Sequence, residues 1–210
     1  QAETGLPAGV YYTEPPLAAQ GKVAVVFPGQ GSQFPHMVRE LAIEFPAVRQ
    51  VFERAEQCVA LTLERPLCRY IFPTTAFTDE ERASQVEALK ATEVAQPALA
   101  AANAAMWKLL QHLGLHADMV AGHSFGELVA LYAAGSIHEG TLFQLARERG
   151  QAMVHARLRQ PDLGHMLAVS GDSPAVELAL AGLSDVWISN HNSPRQTTIS
   201  GTASGLQRAK

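Results

Sequence analysis

Residues 117–135, ADMVAGHSFGELVALYAAG, constrain the fold more than any other stretch of the chain. A short apolar run leads to a serine set between Gly122 and Gly126, followed by apolar residues at helical spacing and Gly135. This predicts a strand, a sharp turn and a helix from Phe125 to Ala134 that Gly135 stops. A second apolar run, KVAVVF (22–27), is continuous and β-branched and ends in Pro28-Gly29. It reads as a first strand, buried on both faces in a parallel sheet. Two such strands separated by helical segments predict an α/β domain.

The helical segments lie where that reading needs them. HMVRELAIEF, AVRQVFERAEQCVA and DEERASQVEALK carry apolar residues three and four apart. EVAQPALAAANAAMWKLLQHLG is longer and apolar on nearly every side, which predicts a central helix ending at Gly114. A further helix with a charged face runs through 139–158. From Gly164 the rhythm changes to strand (HMLAVSG), helix (SPAVELALAGL), two strands (DVWISN and QTTIS, joined across HNSPR) and the start of another helix (ASGLQRAK). This β-α-β-β-α order is a split βαβ unit that lacks its closing strand.

Composition narrows the partners. With 210 residues, 47% of them hydrophobic, the chain can bury a core. The net charge of −4 is spread without long like-sign runs, so no footprint for nucleic acid or an anionic membrane is present. Cys58 and Cys68 stand ten apart with no companion ligands, which gives neither a metal site nor a disulfide framework and suits a reducing cytoplasm. No window reads as a signal peptide or a membrane span. Residues 1–21, rich in Pro, Gly and Ala, read as a linker from a preceding module.

Gly122-x-Ser124-x-Gly126 between a strand and a helix is the pattern of a nucleophile elbow. The glycines let the backbone double back, so the serine oxygen stands over the first turn of the helix, where free N–H groups favour developing negative charge. A serine N-cap with neighbouring glycines has the same spelling. The loop FPGQGSQ (27–33) also leaves a strand and can bring N–H groups to the same sheet edge, although Gly29-x-Gly31 alone fits neither a P-loop nor a dinucleotide turn.

FPGQGSQ, QPAL (96–99), GHSFGE (122–127), RG (149–150) and NHNSPRQ (190–196) occur in the order seen in malonyl-CoA:acyl-carrier-protein transacylases. Over about residues 22–210 the chain resembles that family, including the acyltransferase domains of iterative polyketide synthases and polyunsaturated-fatty-acid synthases. The resemblance implies an α/β-hydrolase-like core with a short parallel sheet over 22–160, and an incomplete ferredoxin-like subdomain over 161–210. It makes Ser124 the acylated nucleophile, with the backbone N–H groups of Gln30 and Phe125 as the oxyanion hole. Arg149 would grip the free carboxylate of a malonyl substrate, a planar match that lysine does not offer. On a bare helix the same arginine would pair with Glu148 or another neighbour. Gln96 and Asn192 match polar pocket positions, yet a helix-start glutamine and a turn asparagine are equally ordinary. His123 adjoins the nucleophile and points away from its oxygen, which makes it a residue of the turn. Arg147 reads as surface.

Serine needs a base, most often histidine. None of the eight histidines has a telling companion, and His191 is the nearest substitute. In the family the base follows the ferredoxin-like subdomain, so the resemblance implies that it is absent from this chain, truncated at its C-terminus. The implied reaction moves malonyl from CoA to the phosphopantetheine thiol of an acyl carrier protein, among neighbouring synthase domains and with no bound cofactor. A serine hydrolase and a non-catalytic carrier-docking module are the alternatives.

Overall fold

A computed structural model describes residues 10, 12, 14–16, 19, 21–60, 62–159 and 164–210. The expected linker over 1–21 lies mostly outside them. The chain divides into two compact units, Gln1–Val154 and His155–Lys210.

In the first unit, strands β1 (Ala24–Phe27) and β2 (Met119–Gly122) pair in parallel, with Ala24 opposite Met119 and Phe27 opposite Gly122. Between them in sequence come α1 (Arg39–Glu44), α2 (Pro46–Val59), α3 (Leu67–Ile71), α4 (Asp79–Lys90) and α5 (Thr92–His112). After β2 follow α6 (Gly126–Ala133) and α7 (Glu139–Arg159), the last running across the division between the units. Helix α5 is the centre of the core. Its alanines, fully or nearly fully buried, let α2 and α6 approach closely, and Trp107 meets Phe27 of β1 edge-on at 6.2 Å. Gly114 ends α5 with φ +87°, and Leu115 N–H returns to the Leu110 carbonyl, as a left-handed C-terminal cap requires. Helix α4 begins with a reciprocal capping box between Thr78 and Glu81. Arg54 of α2 forms a two-pronged ion pair with Glu139, fixing the start of α7.

Four details differ from expectation. Strand β1 is not buried on both faces: Val26 is 74% exposed, because α5 and α6 cover only the face that carries Phe27. Helix α1 starts three residues late, since His36 and Val38 adopt left-handed conformations at φ 65° and 63°. Helix α5 starts at Thr92 and takes Pro97 into its interior, so Gln96 is an interior residue rather than a helix start. In the second unit, β4 reaches Ser193, which puts Asn192 on a strand instead of in a turn.

That second unit contains β3 (His165–Val169), α8 (Ser173–Ala179), β4 (Val186–Ser193), β5 (Gln196–Gly201) and α9 (Ala203–Arg208). The strand order is β3-β5-β4, and β5 is antiparallel to both neighbours. A βαβ pair split by an inserted antiparallel strand is the expected ferredoxin-like arrangement. Val176 of α8 and Leu206 of α9 pack with Val186 and Ile199 on one face of the sheet. Asp172 and Thr202 cap the two helices by accepting from Ala175 N–H and Gly205 N–H. Arg208 and Thr202 both reach Asp185, closing α9 onto the start of β4.

Candidate active site

The serine stands where β2 passes into α6. Ser124 is exposed and has φ 53°, a conformation that costs a side-chain-bearing residue about 1–3 kcal/mol and persists only where its surroundings enforce it. Those surroundings are visible. A Cβ on Gly122 would lie 2.1 Å from the Gly126 carbonyl, and one on Gly126 would lie 2.1 Å from the Phe27 carbonyl, so neither position admits a side chain. Phe125, between them in the turn, is fully buried and anchors it. His123 N–H donates to the Phe27 carbonyl at 3.1 Å, and Glu127 N–H to the Ser124 carbonyl at 3.2 Å.

The glycine loop after β1 lies against this turn. A Cβ on Gly29 would come 2.6 Å from the His123 carbonyl and 3.2 Å from Ser124 Cβ, so the two loops are in backbone contact. Ser32 Oγ donates to the Gly29 carbonyl at 2.9 Å, Gly31 N–H donates to Gln33 Oε1 at 2.8 Å, and Gln30 Nε2 donates to Thr92 Oγ1 at 3.2 Å. With the loop pinned on three sides, the backbone N–H groups of Gln30 and Phe125 have no hydrogen-bond acceptor among the described residues. Free donors held by a rigid frame beside a serine are what an oxyanion requires.

Thr92 and Met153, which sequence reasoning passed over, tie the remaining candidates to this frame. Thr92 opens α5 and receives Gln30. Gly150 of α7 packs on the same turn, where a Cβ would sit 3.0 Å from Glu93 Cα. Gln96, one helical turn beyond Thr92, is fully buried and donates to Met153 Sδ at 3.2 Å, while its Oε1 is buried without a partner. Met153 in turn lies four residues after Arg149 on α7, the same-face spacing that could have singled it out. Arg149 is half-buried and makes no ion pair among the described residues. Glu148, its expected alternative partner, is taken by Arg147 at 2.6 Å. Arg147 is correspondingly not a plain surface residue: its guanidinium also donates to the Cys58 carbonyl at 3.0 Å and ties α7 to the end of α2.

His123 is exposed at the turn, as are the other seven histidines at their own positions. His191 and Asn192 belong to the second unit, on β4. There Asn192 Nδ2 donates to Thr198 Oγ1 at 3.0 Å and to Gln196 Oε1 at 3.2 Å across the hairpin. Among the described residues no group of His, Cys, Asp or Glu could hold a metal ion, and no helix is long and apolar enough to cross a membrane.

A strained serine on a strand–turn–helix elbow, over a short parallel sheet, defines an α/β fold with a nucleophile elbow. The particular family is given by comparison: the chain belongs to the acyl transferase domain family, which it matches over residues 24–209. It is 36% identical over 193 residues to the malonyl CoA-acyl carrier protein transacylase of Bacillus subtilis, covering 90% of this chain and 56% of that protein. It is 32% identical over 204 residues to one of the polyunsaturated fatty acid synthase proteins of a Thraustochytrium species, covering 95% of this chain and 7% of the synthase protein. An acyl carrier protein S-malonyltransferase from Vibrio cholerae has a similar structure, with TM-score 0.76 and 35% identity over 90% of this chain and 58% of that one. The chain therefore spans little more than half the length of the single-function relatives and a small fraction of the synthase.

Proposed function

We propose that this chain is part of an acyltransferase that carries malonyl from CoA to the phosphopantetheine thiol of an acyl carrier protein through an ester on Ser124. The observation that carries the proposal is the close approach of the Gly29 loop to a strained, exposed Ser124, with the N–H groups of Gln30 and Phe125, the residues that follow Gly29 and Ser124, unengaged among the described residues. Ser124 Oγ attacks the thioester carbonyl and its proton passes to a base. The oxyanion rests on the Gln30 and Phe125 N–H groups until the CoA thiolate leaves and takes up a proton. The carrier thiol then repeats the sequence in reverse, and Ser124 is restored.

Arg149 supplies the charge for the malonyl carboxylate. It is half-buried, lacks a competing ion pair and sits on the helix that Thr92 and Gln96 brace. Gln96 contributes a polar pocket group and His123 supports the turn, while Asn192 braces its own hairpin in the second unit. The resemblance to the transacylases supports a general-base histidine outside the eight of this chain, with His191 as the nearest substitute within it. The reaction calls for no bound cofactor or metal, since CoA and phosphopantetheine enter as substrates. Similarity to a fatty acid synthase protein supports work beside other synthase domains. Two free cysteines suit the cytoplasm.

The test is mass spectrometry of the full acyltransferase domain after brief exposure to malonyl-CoA. A malonyl adduct on the peptide that contains Ser124, lost in Ser124→Ala and discharged by a holo carrier protein, is the expected result. Release of free malonate without carrier would indicate a hydrolase, and no adduct at all would indicate a non-catalytic docking module.

A further inference from the structure

Two adjoining cavities lie on the α1, α3 and α4 side of the first unit, and neither includes Ser124, Gln30, Gln96 or Arg149. One, of 610 Å³, is lined by hydrogen-bond donors, His36, Arg39, Arg82, Gln85 and Thr75, and by no acidic residue. Arg82 is engaged by Asp79 at 2.5 Å, but Arg39 has no ion-pair partner among the described residues. The other, of 470 Å³, is walled by Ala42, Ile43, Phe52 and Cys68, with the Arg49–Glu53 pair, 3.8 Å apart, at its side. Arg39 and Phe72 line both cavities, so the two share a wall.

Local structure explains why these chemistries meet. Arg39, Ala42 and Ile43 follow at three- and four-residue spacing and therefore share one face of α1. Ile43 is left 59% exposed there, and Phe72 stacks edge-on against Phe52 at 5.2 Å to form the partition. The chain entering α1 is strained: Val38 is β-branched at φ 63°, a position that disfavours such residues, and His36 is at φ 65°. Arg39, the first residue of α1, follows this segment directly and stands at the junction of the two cavities. Strain of this kind collects where a fold serves binding.

We propose that the paired cavities form a binding site for a single-chain fatty carboxylate, with the carboxylate on Arg39 and His36 and the alkyl chain along Ala42, Ile43, Phe52 and Phe72. Charge complementarity selects the head, because a guanidinium without a competing acid is a planar donor pair for a carboxylate. The apolar cavity selects the tail. The site does not depend on the acyl-transfer reading, since it uses none of those residues, and a product-like fatty acid could occupy it while Ser124 remains open.

The experiment is a titration of the intact chain with dodecanoate below its micelle concentration, followed by calorimetry and by protection of Cys68 from N-ethylmaleimide in a Cys58→Ser background. One dodecanoate per chain is expected to bind and to slow Cys68 labelling. Arg39→Gln and Ile43→Asp should each weaken binding by at least about tenfold, as loss of one charge-assisted contact or burial of a charge implies. Dodecanol, which lacks the charge, and acetate, which lacks the tail, should both bind at least about tenfold more weakly. Absence of saturable binding, equal binding of dodecanol, or binding unchanged in both variants would overturn the proposal. The dodecanol and acetate comparisons use the unaltered protein, so they decide the matter even where a variant folds poorly.

Discussion

Gly126→Ala tests whether the backbone of the elbow is as closely packed as described. The added Cβ would sit 2.1 Å from the Phe27 carbonyl oxygen and 2.8 Å from that of Pro28, roughly 1.3 Å inside ordinary contact with the first. Both obstacles are backbone, so no side chain can swing away. Either β1 moves off α6 or the turn opens, and the His123 N–H bond to Phe27 is lost in both cases. Overpacking of this kind costs about 1–3 kcal/mol and the hydrogen bond about 1 kcal/mol, against a gain of up to about 1 kcal/mol from replacing glycine in a helix. The net expectation is about 1–4 kcal/mol of destabilisation. Gly140→Ala is the control, because a Cβ there meets nothing within 4 Å and the position is also helical. It should stabilise by a few tenths to about 1 kcal/mol. Trp187→Phe leaves Trp107 as the single tryptophan, and Trp107 packs on Phe27, the residue that the clash displaces. Urea unfolding followed by Trp107 fluorescence should place the Gly126→Ala midpoint lower by about 1 M and the Gly140→Ala midpoint slightly higher. If the two substitutions shift the midpoint in the same direction, the close approach of β1 and α6 at the serine turn is wrong.

Three further outcomes follow from the site and its supports. In the full domain, Arg149→Ala should reduce malonyl loading by about a hundredfold or more while sparing acetyl loading, in competition assays with the two CoA thioesters; equal loss of both would remove the arginine from carboxylate recognition. Burial, together with Glu56, pushes the Cys68 thiol up to about 12, so in a Cys58→Ser background iodoacetamide should label it about a thousandfold more slowly than a free thiol at pH 8, with the rate still climbing above pH 10. A plateau near pH 9 would contradict that environment. Asp185, held below the usual carboxylate range by Thr202 and Arg208, stabilises the second unit above the ordinary carboxylate pKa. That contribution disappears as pH falls through its lowered value. Protection factors for hydrogen exchange at β4 and β5, corrected for the intrinsic amide rate, should therefore fall in acid, and Asp185→Asn should be destabilised at pH 7 while losing that acid sensitivity.

Much of this was legible from local sequence because its causes are local. The elbow was readable since only glycine fits beside a carbonyl 2.1 Å from where a Cβ would stand, and residues 122 and 126 carry that requirement. The split βαβ unit was readable because alternation and turn residues set β3, α8, β4 and β5 in sequence order, while the central position of β5 is what the structure adds. The errors fell where chain-distant packing overrode local habit. A glutamine before Pro97 also reads as an ordinary helix-start residue, yet α5 runs through that proline and burial of nearly every residue around it makes Gln96 an interior one. KVAVVF reads as buried on both faces, but burial depends on what covers a strand, and Val26 has no cover among the described residues.

The amino-acid order by itself determined the strand–serine–helix turn that holds Ser124, the α/β class and the ferredoxin-like order of the second unit, while Gln30, Phe125 and Arg149 became candidates only through the resemblance to the transacylase family. The turn and the order of elements depend on neighbours within a few residues, which local backbone geometry reads directly. Tertiary structure alone decided what lies against each candidate. Gly29 touches Ser124 across 95 residues of chain, Gln96 meets Met153, and Arg147 takes the glutamate that would otherwise have neutralised Arg149. No spacing rule encodes such contacts, because they arise from which helix faces the central α5 buries and which side chains are left to pair when it does.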